Sequence, residues 1–133
     1  MRFFFDNCLP PRFACALQAF EEGKCQIVHL RDKFSPDVED ADWIEKRGAE
    51  GGWTIVSADS RIPRNPQIRA AWRGSKLTAF FFEKGWANHA FEERAWRIMR
   101  WWPLIKKQAE LVTPGQGFLV PVNFGKLKVL SDK

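Results

Sequence analysis

Four short runs of large apolar residues, "RFFF" at 2–5, "QIVHL" at 26–30, "WTIVS" at 53–57 and "LTAFFF" at 77–82, hardly alternate with polar residues. An alternating strand buries one face, whereas a strand apolar at nearly every position buries both, as in a mostly parallel sheet covered by helices on each side. Between the runs the period changes. Phe13, Leu17 and Phe20 recur at helical spacing after Pro11, with Ala14 and Ala16 beside them, until Gly23 stops the pattern. A second helix is predicted from about Asp40 to Glu50, closed by Gly51 and Gly52, and a third in "NPQIRAAW", with a proline in its first turn. The order predicts a three-layer α/β/α sandwich with a mostly parallel central sheet.

A long helix is expected from about His89 to Gln108, with Phe91, Ala95, Ile98, Trp102 and Ile105 along one face. Pro103 is expected to kink it or end its regular part, because proline removes a backbone donor. Residues 109–133 read as a hairpin, or an edge strand with a tail, since Pro121 is disfavoured in a central strand.

A length of 133 residues fits a single domain, 1–133, with a real core. The hydrophobic share of 45% and aromatic share of 14% exclude a disordered chain. A net charge of +5 favours polyanionic partners, the more so because Arg61, Arg64, Arg69 and Arg73 follow Asp59 closely while the acids gather from Asp37 to Glu50. Cys8, Cys15 and Cys25 show no C-x-x-C spacing and are expected to be reduced, partly buried thiols of a cytoplasmic protein. No apolar run approaches the roughly 18 residues of a membrane helix, and Asp6 interrupts the apolar N-terminus, so neither membrane insertion nor export is expected.

In an open α/β sheet the ligand crevice lies beyond the carboxyl ends of the strands, where the strand order reverses. Asp6 and Asp59 fall at two such ends. If their strands are neighbours, the two carboxylates face each other, a costly arrangement unless a hard divalent cation lies between them. For a third acid Glu39, Asp40, Asp42 and Glu45 compete. Asp40 precedes the sheet-facing Trp43 and Ile44 by three and four residues, on their face, while Asp42 lies away from it; a helix N-cap is an equally good reading of Asp40.

Other chemistries lack their motifs. No phosphate-binding glycine loop, zinc-spaced Cys/His set or G-x-S-x-G elbow is present. His29 and His89 read as packing or capping residues. Trp43, Trp53, Trp72, Trp96 and Trp102 read as core or core-edge, with Trp86 and Trp101 the two candidates for exposed base-stacking platforms.

The blocks "FFFDNCLPPRFACAL", "IVHLRDKF", "DADWI", "GGWTIVSADSRI" and "LTAFFFEKGW" together resemble the small bacterial PIN-like domains of the VapC-like toxin group, over about residues 1–105. The resemblance implies a three-layer fold whose acids hold Mg²⁺ or Mn²⁺ at the carboxyl edge of the sheet. It implies a metal-dependent endoribonuclease, the toxin of a type II toxin–antitoxin pair, with RNA as substrate, a cognate antitoxin as partner and room for a homodimer. Carried over residue by residue, Asp6, Asp40 and Asp59 are the catalytic and metal-binding acids and Asn7 is a neighbouring supporting group; in such an enzyme the clustered Arg61, Arg64, Arg69 and Arg73 are expected to grip the RNA backbone. One position departs from the pattern. Many PIN-like proteins carry a further acid two residues beyond the "SAD" aspartate, where this chain has Arg61. That arginine suits a phosphate contact, a one-metal or weakened enzyme, or a non-catalytic PIN-like module that binds a protein partner or RNA. A plain structural domain whose acids are helix caps is the remaining alternative.

Overall fold

A computed structural model describes residues 1–59, 62–112 and 114–130. Its elements are β1 (Arg2–Phe5), α1 (Pro11–Glu21), β2 (Gln26–His29), α2 (Asp40–Glu50), β3 (Trp53–Ser57), α3 (Pro66–Ser75), β4 (Thr78–Phe82), α4 (Phe91–Leu111), β5 (Gly117–Val120) and β6 (Lys128–Val129). They form one sheet in the order β2-β1-β3-β4-β5-β6. β2, β1, β3, β4 and β5 run parallel, and only β6 is antiparallel, to β5. This is the expected α/β fold.

Strand parity explains the apolar runs. Phe3 and Phe5 point to the face covered by α1 and α4, where the Trp102 ring lies 4.7 Å from that of Phe3. Phe4 points to the other face, under α2 and α3, with Trp43 at 5.3 Å. All three phenylalanines are fully buried. On α3, Asn65 caps the first turn by accepting from the backbone N–H groups of Gln67 and Ile68, and Trp72 packs edge-on against Phe81.

The chain steps from β1 outward to β2 across one face, then over β1 to β3 and on to β4 across the other. Reversal of direction together with exchange of face gives these three crossovers one hand. The step from β4 to β5 continues in the same direction, yet α4 lies on the α1 face, so this crossover has the opposite hand, against a strong general rule. Its gain is coverage: with α2 and α3 together on one face, α1 alone would leave the other half open.

Several expectations need correction. Phe20 is 61% exposed, because the buried row of α1 is Phe13, Leu17 and Glu21, and Glu21 takes the inward place. Trp96 is 50% exposed, because the inward stripe of α4 is Ile98, Trp101, Trp102 and Ile105 and Trp96 lies off it. Trp101 is fully buried, and so is Trp86, whose indole N–H donates to the Val120 carbonyl at 3.1 Å, so neither is a stacking platform. Pro103 does not end α4, which runs on to Leu111; it is exposed, as is Met99, whose carbonyl loses its donor to the ring. Of the thiols only Cys25 is half-buried, and Cys8 and Cys15 are exposed.

Candidate active site

β1 and β3 are neighbours, paired from Arg2 opposite Trp53 to Phe5 opposite Val56. The chain leaves β1 toward one side of the sheet and β3 toward the other, so their carboxyl ends mark the point where strand order reverses. The Asp6 N–H donates to the Val56 carbonyl at 3.1 Å, extending the ladder by one residue and fixing Asp6 at the rim.

Both carboxylate oxygens of Asp6 are engaged. Oδ1 accepts from the Cys8 N–H at 3.1 Å, and Oδ2 accepts from the Ser57 hydroxyl. The same Ser57 oxygen accepts the Asp59 N–H at 3.0 Å, so one serine at the end of β3 orients both acids. Asp6 and Asp59 are buried. Burial pushes the Asp6 carboxyl up to about 7; the hydrogen bonds from Ser57 and Cys8 pull the other way, and the charges of Asp59 and Asp40 add to the rise.

Asp40 is the first residue of α2. Glu39 occupies the N-cap position, and no side chain caps the helix there. Asp40 Oδ1 instead accepts the indole N–H of its own helix's Trp43 at 3.0 Å, which ties a half-buried carboxylate to a fully buried ring. Asp6, Asp40 and Asp59 line one cleft of about 300 Å³, with Asn7, Asp37 and Glu39 on its walls. Asp42 does not line it, and Glu45 lines a groove between α2 and α3. Asn7 is a strut: its amide donates to the Pro36 carbonyl at 3.1 Å and its oxygen accepts from Arg31 Nε at 2.7 Å. His29 braces the same rim. Its Nδ1 accepts the Arg31 N–H, leaving Nε2 to donate to the Leu9 carbonyl at 2.6 Å. Among the described residues, no three His, Cys, Asp or Glu side chains stand ready as a metal-ligand set.

Arg64, Arg69 and Arg73 lie elsewhere. Arg64 and Arg69 line a separate cavity beside Glu83 and Lys128, and Arg73 stacks over Trp72 at 4.5 Å. Arg61 lies outside the described residues. Sequence reasoning missed three features. Asp37 adds charge to the cleft wall. Ser57 is the orienting hydroxyl, and its place two residues before Asp59 at a strand end is a signal that could have found it. Arg94, at the start of α4, lines a cavity of about 360 Å³ on the other side of Asp59 with Trp86, Leu9 and Ala58; nothing local announces it, because only the crossover of α4 brings it there. No helix among the described residues is long and apolar enough to cross a membrane.

Residues 1–84 match the family model of a PIN-like domain, a segment that holds Asp6, Asp40 and Asp59 and stops before α4. No curated protein and no solved structure matches the chain at a significant level.

Proposed function

The chain belongs to the PIN-like domain family, a family of nuclease-type modules, and from that premise we propose that it is a metal-dependent endoribonuclease, the toxin of a type II toxin–antitoxin pair acting in the cytoplasm. The observation that carries this reading is the convergence of Asp6, Asp40 and Asp59 on one cleft at the point where the strand order reverses. The chemistry of the donors suits Mg²⁺ or Mn²⁺, although the described residues do not gather three of them into a ready ligand set: they are hard carboxylate oxygens, one of them on a buried acid whose neighbours are also negative, so a cation there relieves their repulsion. Asp6, Asp40 and Asp59 would hold the ion, which when bound activates water and offsets charge on the scissile phosphodiester.

The chain's own residues do the positioning. Ser57 and the Cys8 N–H hold both oxygens of Asp6, the Trp43 indole holds Asp40, and Asn7 and His29 brace the rim. Arg94 lines the adjoining cavity, which shares Asp59 with the acid cleft. RNA is the substrate and a cognate antitoxin the protein partner. A non-catalytic module is favoured by one observation, Arg61 at the position of the usual further acid.

Cleavage of a mixed RNA pool with Mn²⁺ separates the two. Under the enzyme reading the parent cleaves, Asp59→Asn and Asp40→Asn lose cleavage, and Asp42→Asn keeps it. A silent parent that becomes active as Arg61→Asp assigns the chain to the non-catalytic class.

A further inference from the structure

The acid cleft has no exposed aromatic surface, yet α4 carries one a turn beyond Arg94. A groove of about 350 Å³ is lined by Trp96, Arg97, Arg100, Trp101, Asn123 and Phe124. Trp96 is 50% exposed and Phe124 42%, whereas the other six tryptophans are at most 4% exposed. The core does not require these two rings, and their surroundings hold them in place. The Trp96 indole N–H donates to Glu93 Oε2 at 3.0 Å, and the Arg97 guanidinium lies over the Trp96 ring at 4.7 Å while donating to the Val122 carbonyl at 2.9 Å. Arg100 stacks over Phe124 at 4.4 Å, and Phe124 rests on the fully buried Trp101 at 4.8 Å. Two guanidinium–aromatic pairs therefore stand side by side; Glu93 pairs with Arg97 at 3.6 Å, and Arg100 adds a second guanidinium to the groove.

Half-exposed rings paired with guanidinium groups are suited to stacking a base and neutralising its phosphate, the chemistry of single-strand recognition. A duplex offers no free base faces to such a site. Along α4, Arg94 beside Asp59 and Arg100 in the groove are six residues apart, about 9 Å of helix axis at 1.5 Å per residue. We infer that this groove, which lies outside the segment matching the family model, binds an unpaired stretch of RNA leading from the acid cleft. This rests on the ribonuclease reading for its link to cleavage, although binding in the groove is testable without it.

The test measures binding of a labelled, unstructured ten-nucleotide RNA and of its duplex form, with EDTA present so that nothing is cleaved. Trp96→Leu and Phe124→Leu should each weaken single-strand binding about tenfold, Trp96→Phe should bind like the parent, and duplex binding should be the same in all. Because the rings are exposed, the variants are expected to keep the parent's melting temperature. The proposal is overturned by an unchanged Kd in Trp96→Leu, by equal losses on single strand and duplex, or by a Trp96→Leu variant that loses self-association while binding RNA normally, which would make the groove a contact between copies. With Mn²⁺, Trp96→Leu should cleave the ten-mer with a raised KM. If the parent does not cleave it, the ribonuclease reading fails and the binding results still decide the groove.

Discussion

Asp6 holds a carboxyl group in an apolar setting with two negative neighbours, and two hydrogen bonds only partly offset that burden. Its folded pKa of about 7 lies above the ordinary 3.8, so between those values the folded chain keeps a proton that the unfolded chain has released. Its contribution to stability is therefore full below about pH 4 and is lost as pH rises through 7, by at most about 4 kcal/mol. In urea unfolding with EDTA, Asp6→Asn should be more stable relative to the parent at pH 8 than at pH 5; the reverse order would show that Asp6 is not the group responsible. Ser57→Ala removes the strongest of the influences that lower this pKa, so the Asp6 midpoint in a carbon-13 NMR titration should move upward. Asp6 and Asp59 were legible in the sequence because each ends an apolar run, and Asp40 because it precedes a tryptophan by three. The supporting cast was not: Asp37 and Arg94 reach the rim through loops and a crossover that local spacing does not encode.

Helices and strands were legible wherever period and punctuation agreed, and one error came where an inward place was taken by a polar residue with a partner. Glu21 holds the place the pattern assigns to Phe20, because it accepts the Trp102 indole N–H at 2.6 Å and pairs with Lys106 at 2.6 Å, joining α1 to α4. Burial pushes its carboxyl up, but the hydrogen bonds from Lys106 and Trp102 and the lysine's charge outweigh it, and its pKa is lowered. The sign is opposite to that of Asp6: this clamp stabilises above the unfolded pKa and is lost as pH falls through the folded one. Glu21→Gln should cost stability at pH 7 and little at pH 3, as thermal unfolding at the two pH values will show. On the other face α2 and α3 approach at Gly48, where an added Cβ would lie 2.5 Å from Ser75 Cβ and 3.1 Å from its Cα. Gly48→Ala should gain about 1 kcal/mol of helix propensity and lose more, roughly 1–3 kcal/mol, by forcing the helices apart. A lower melting temperature, partly restored by Ser75→Gly, is the expected result.

Across the whole molecule, α4 reverses the hand of the last crossover in order to cover the face of Phe3 and Phe5, and so the segment that matches the family model is not a folding unit. A fragment of residues 1–84 lacks Ile98, Trp101, Trp102 and Ile105, four fully buried side chains of that core. It should show no cooperative thermal transition by circular dichroism, where the full chain shows one. The same dependence governs the order of events on the ribosome. Synthesis proceeds at about 5–20 residues per second, so the face that holds Phe3, Phe5, Phe80 and Phe82 stays open to chaperones for on the order of seconds after β4 is made. Both rims of the proposed cleft are translated early, yet they are set in place only when α4 leaves the exit tunnel and docks. Under the ribonuclease proposal, a chain built in this order stays inert beside its own message until its last helix has docked.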